Sequence, residues 1–91
     1  MQRITVYFTG RVQGVGFRAT VARIAREYAI VGRVCNLTDG RVQLQAEGQV
    51  DELNRFVDSI HEEMKRYITH RSSQWSPAAQ AWTSFEVAAD Q

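Results

Sequence analysis

The feature that most narrows the fold is a hydrophobic period that switches from strand to helix and back twice along 91 residues. Residues 3–9, RITVYFT, alternate: Ile4, Val6 and Phe8 fall on one side and Thr5, Tyr7 and Thr9 on the other. That is the two-residue repeat of a half-buried strand, rich in β-branched and aromatic side chains. Residues 18–29, RATVARIAREYA, switch to helical spacing, with Val21, Ile24, Ala25 and Tyr28 on one stripe and Arg23, Arg26 and Glu27 on the wet side. Two strand-like runs follow, VGRVCNL (31–37) and RVQLQAE (41–47), around Thr38-Asp39-Gly40. Asp-Gly between strands is a strong hairpin signal, because Gly accepts a positive φ and Asp bonds its own backbone. In the second run Val42, Leu44 and Ala46 point inward. Residues 50–64 return to helical spacing through Val50, Leu53, Phe56, Val57, Ile60 and Met64. YITHRSSQW (67–75) reads as a weaker strand with no clear inward side, SPAAQAW (76–82) as a loop, and TSFEVAA (83–89) as a closing strand through Phe85 and Val87.

The order is β-α-β-β-α-β plus a fifth strand. It predicts an α+β, ferredoxin-like split β-α-β sandwich, a mostly antiparallel sheet with both helices on one face. Strands one and two are joined through a helix and so run parallel, with strand three between them and a right-handed crossover. Parallel strands end at the same edge. Asn36, closing strand two, therefore shares an edge with the glycine loop that closes strand one.

Length allows one domain over 1–91, because two would leave neither a core. Hydrophobic content of 44% and charged content of 23% are those of a globular chain. A net charge of +1 supplies no global field for nucleic acid or acidic lipid. Lys65 is the only lysine, so positive charge is carried by arginine. One cysteine, Cys35, makes neither an internal disulfide nor a structural zinc site. Strand alternation puts it opposite Asn36, away from the helices, as a half-exposed free thiol without a base. No signal peptide or membrane-length apolar run is read, which points to a reduced, cytoplasmic protein.

The chemistry centres on residues 10–19, GRVQGVGFRA. Gln13 to Phe17 join a strand to a helix that begins near Arg18. A helix start carries unpaired N–H groups and the positive end of the macrodipole. Gly14 and Gly16 let the backbone curl so that successive N–H groups converge on one anion. Arg18 adds a forked cation at the rim. Glycines between strand and helix often serve only the turn; it is the conjunction with Arg18 and Asn36 that specifies an oxyanion site.

Rival motifs fail in context. No Gly-Lys pair exists, so this is not a triphosphate P-loop. Gly14-Val15-Gly16-Phe17-Arg18-Ala19 satisfies the dinucleotide fingerprint in letters, with Asp39 at a tempting distance, but strand two runs straight into a hairpin and forms no crevice. An RNA-reading sheet needs an aromatic RNP pattern, and RVQLQAEG presents glutamines and an arginine. His61 and His70 are read as non-catalytic.

GRVQGVGFR (10–18) followed by GRVCNLTDGRVQLQAEG (32–48) resembles the acylphosphatases in both signature regions of that family. The resemblance implies hydrolysis of the carboxyl–phosphate bond of acyl phosphates, to a carboxylate and inorganic phosphate, without metal or cofactor. It implies a cytosolic monomer acting on a small-molecule acyl phosphate, with no nucleic acid or membrane partner. Arg18 falls at the family's phosphate-binding arginine, Asn36 at the asparagine that holds the attacking water, and the backbone of Gln13, Gly14, Val15, Gly16 and Phe17 at the phosphate cradle. The chain departs from the family at Arg33, where an aromatic is common, at Cys35, and at EEMKRYITH, where a Gly-Pro-Pro-rich approach is frequent. A non-enzymatic anion-binding module on the same fold is the alternative reading.

Overall fold

The computed structural model describes residues 1–91. Its elements are β1 (Gln2–Gly10), α1 (Phe17–Ala25), β2 (Ile30–Asn36), β3 (Val42–Gly48), α2 (Val50–Met64), β4 (Ile68–Pro77) and β5 (Phe85–Val87). The sheet order is β4-β1-β3-β2-β5. β3 pairs antiparallel with both β1 and β2, which makes those two parallel as expected. β4 adds antiparallel to β1, and β5 adds parallel to β2.

The inward sets read from alternation form the core. Ile4, Val6 and Phe8 of β1, Val34 of β2, and Val42, Leu44 and Ala46 of β3 are all buried against α1 and α2. From the helices come Val21 and Ile24, and Leu53, Phe56, Val57 and Ile60. Each such side chain contributes about 1.5–3 kcal/mol of burial, so one face of the sheet and one stripe of each helix are fixed together.

Two boundaries differ from the periodic reading. α1 stops at Ala25, and residues 26–28 turn the chain back, with Tyr28 N–H donating to the Ala25 carbonyl. Tyr28 still serves the core from beyond the helix: its ring lies 5.9 Å from that of Phe56, and its hydroxyl bonds Ser59. β4 runs through Pro77, so the loop begins at 78 and not at 76. β4 is the sheet edge, and most of it is exposed on both sides. Without a covered face there is no pressure to alternate, which is why its inward side could not be read.

The third correction concerns Cys35. It does lie on the helix-free face, but it is fully buried, not half-exposed. The Arg33 guanidinium lies 3.8 Å from its Sγ, and the thiol donates to Gln43 Oε1 at 3.6 Å. Gln43 in turn donates to the Tyr7 hydroxyl. Long polar side chains roof that face over β2 and β3.

The 78–84 segment leads from β4 at one edge to β5 at the other, and it meets the helix-free face on the way. Buried Glu47 of β3 accepts the Ala79 N–H at 2.9 Å and the Arg3 guanidinium at 2.8 Å. Arg3 stacks over Trp82, 4.6 Å from the ring centroid. Burial pushes the Glu47 carboxyl up, but the N–H groups of Ala79 and Ala81 and the Arg3 charge outweigh it and hold it below the usual glutamate range. No helix is long and apolar enough to cross a membrane.

Candidate active site

The loop between β1 and α1 is pinned at both ends by apolar side chains. Val12 and Phe17 are buried, and the Phe17 ring packs on Phe8 at 5.1 Å between centroids. Between them Gly14 and Gly16 take φ of 79° and 77°, a left-handed conformation that other residues adopt at a cost. A Cβ at either glycine would meet nothing within 4 Å, so conformation alone, not crowding, selects glycine there. The loop is also tied sideways. Gln13 Nε2 donates to the Leu37 carbonyl at 2.8 Å and the Arg41 carbonyl at 3.0 Å, which anchors the loop to the β2–β3 hairpin.

These constraints leave a run of backbone donors unfilled. Gly16 is the N-cap of α1 and supplies no side-chain cap, and no acidic residue stands in the first turn. The first carbonyl engaged is that of Gly16, by the Thr20 N–H at 3.0 Å. The N–H groups from Gly14 to Ala19 donate to no protein acceptor. α2 is the opposite case: its first turn holds Asp51 and Glu52 against the dipole.

A pocket of about 310 Å³ opens at this end of the sheet. Gly14, Gly16, Arg18 and Asn36 all line it, so the edge inferred from strand direction is the edge observed. Phe17 lines it too, but Gln13 and Val15 do not: Gln13 is the tether just described, and Val15 packs against the core. Val12, Ala19 and Val87 complete the wall with apolar surface.

Arg18 is the only charged residue of the lining. Its Nη1 donates to Asp90 Oδ1 at 2.8 Å and lies 3.5 Å from the Ala88 carbonyl. Asn36 is 8% exposed, yet its carboxamide makes no hydrogen bond within the protein; only its main-chain carbonyl is engaged, by the Gln91 N–H at 2.8 Å. The carboxamide is not among the buried unpaired groups of the protein, so it opens onto the pocket, where solvent or a ligand can meet it.

Other polar groups lie elsewhere. Asp39 accepts both the Arg41 N–H and its guanidinium, and that N–H chiefly holds the carboxyl below its ordinary range. It shapes the hairpin and does not face the pocket. His61 and His70 are likewise absent from the lining. Val87, read from the sequence only as a strand residue, and Asp90, not singled out there, come to this edge because β5 and the residues after it run parallel to β2.

The fold and this edge define a ferredoxin-like α+β domain with a pocket lined by the glycine loop, one arginine and one asparagine. The comparisons with known proteins fit that class. The Acylphosphatase family model matches residues 4–87. A Salinibacter ruber acylphosphatase is 40% identical over 87 residues, covering 94% of this chain and 92% of the relative. The crystal structure of acylphosphatase from Bacillus subtilis superposes with a TM-score of 0.86 at 31% identity, over 97% of this chain and 99% of that one. Full-length HypF in its phosphate- and nucleotide-bound form aligns with 98% of this chain and 12% of its own length, at TM-score 0.81 and 25% identity. The chain belongs to the acylphosphatase family.

Proposed function

We propose that this protein is an acylphosphatase, acting as one domain over 1–91, which hydrolyses the carboxyl–phosphate bond of acyl phosphates. The observation that carries the assignment of residues is the unpartnered Asn36 carboxamide on the same pocket as Arg18 and the free N–H groups of the loop. Arg18 and the backbone of Gly14, Gly16 and Phe17 bind the phosphoryl oxygens. Gln13 and Val15 act by holding that backbone in place. Asn36 orients the attacking water.

The carboxylate is a good leaving group, so the chemistry needs little general acid. Water attacks phosphorus, the P–O bond to the acyl group breaks with its electron pair on the carboxylate, and a water proton passes to a phosphoryl oxygen. An asparagine is no base, and its part is alignment. Fixed donors around the transferring phosphoryl group supply the rest, which is positioning and electrostatics. This scheme asks for no metal or cofactor. The substrate is a small acyl phosphate, and we place the protein in the cytoplasm as a monomer that binds neither nucleic acid nor membrane.

The test is hydrolysis of benzoyl phosphate by the wild type, Arg18→Ala and Asn36→Ala. Wild-type turnover at the buffer rate, with the fold intact, sinks the enzyme assignment. Full activity in both variants sinks the residue roles. A second reading, a non-enzymatic anion-binding module, draws on the likeness to a small part of HypF. Phosphate-induced shifts of loop amides without turnover would favour it.

A further inference from the structure

We propose that Asp90 is an internal competitor at the anion site, which weakens the hold of Arg18 on free phosphate. The inference rests on the reading of Arg18 as the phosphate-binding residue. Residues 88–91 continue alongside β2 past the end of β5: the Ala88 N–H donates to the Val34 carbonyl and the Gln91 N–H to the Asn36 carbonyl, both at 2.8 Å. That path brings the Asp90 carboxylate onto Arg18 Nη1 at 2.8 Å, at the rim of the pocket. A carboxylate is an oxyanion of the same class as the ligand, and it occupies one arm of the fork a phosphoryl group would use.

The contact is displaceable. Asp90 is 69% exposed and touches Arg18 through one oxygen only. No other cation lines the pocket, so the pair leaves the site's only side-chain charge nearly cancelled. A ligand that also engages the loop N–H groups and Asn36 can displace Asp90; an ion that depends mainly on Arg18 competes with it. The expected consequence is weak retention of inorganic phosphate, the product of the proposed reaction.

The experiment is a titration of inorganic phosphate into wild type, Asp90→Asn, Glu86→Gln and Arg18→Ala, read from loop amide shifts by NMR. Asp90→Asn should bind phosphate about two- to fivefold more tightly than wild type, the range of an exposed ion pair. The gain should shrink at high salt. Glu86→Gln removes a charge from β5 without touching Arg18 and should leave the affinity unchanged; an equal gain there overturns the contact mechanism. Equal or weaker binding by Asp90→Asn overturns the proposal, and weaker binding would show that the carboxylate steadies Arg18 for the anion. Wild type and Arg18→Ala binding phosphate equally would overturn the reading of Arg18 itself, and with it this inference.

Discussion

The two ends of the sheet treat their polar groups in opposite ways. At the end where β1 and β2 begin, Glu47 is a buried carboxylate, and the protein meets it with Arg3 and the N–H groups of Ala79 and Ala81. At the end where those strands finish, the Asn36 carboxamide opens onto the pocket with no partner in the protein, beside a helix start with no side-chain cap. A satisfied buried network stabilises a fold; a polar group left open at a pocket stays solvated until a ligand takes the place of water. The first end fastens the segment that carries β5 across to β2. The second is where chemistry is proposed.

Substitutions can break this contrast, and the largest expected effect is at the open end. Asn36→Ala should lower kcat on benzoyl phosphate by about 10²–10³, the cost of removing one aligned polar group from a transition state. Its melting temperature should not fall, because no protein hydrogen bond is lost; a large drop would mean that Asn36 belongs to the fold. Glu47→Gln should do the reverse. It removes the charge facing Arg3 and costs about 1–3 kcal/mol in chemical denaturation, with kcat unchanged. A variant as stable as wild type would show that the carboxylate fastens nothing.

Gly14→Ala should have a smaller, mixed effect. Nothing crowds the position, so the penalty is that of a left-handed non-glycine residue, about 1–2 kcal/mol of stability. Loop amide shifts on phosphate addition should show weaker binding, since the N–H directions change with φ. Unaltered affinity and stability would remove the conformational argument for glycine there.

The mildest effect is on pH. The folded-state pKa of Glu47 is depressed, so its contribution is complete above the usual glutamate value of 4.5 and is lost as pH falls through the lower folded value. The stability gap between wild type and Glu47→Gln should therefore be constant near neutrality and narrow below about pH 4.5. A gap that widens on acidification would reverse the sign assigned to this group.

Much of this molecule was legible because local burial repeats with the period of the backbone. Ile4, Val6 and Phe8, the stripe from Leu53 to Ile60, and Asp39-Gly40 announce strand, helix and hairpin without reference to distant residues. The meeting of Asn36 with the glycine loop was legible one step further on, since parallel strands must finish at one edge. Tyr28 was misread as helical because it points the same way as Ile24 and Ala25, although the helix has already turned. β4 gave no inward side because neither of its faces is well covered.

By itself, then, the sequence determined the order of elements, the composition of the core face and a loop that must bend through Gly14 and Gly16. Only the tertiary structure decided what lies against what across the sheet. It buried Cys35 under Arg33 and Gln43, tied Gln13 to the hairpin, matched Glu47 to the crossing segment and laid Asp90 on Arg18. The physical reason is the reach of each kind of information. Period and turn chemistry act over a few neighbouring residues, whereas these contacts, Arg33 on Cys35 aside, join segments 8 to 72 positions apart, which meet only once the strand order is set.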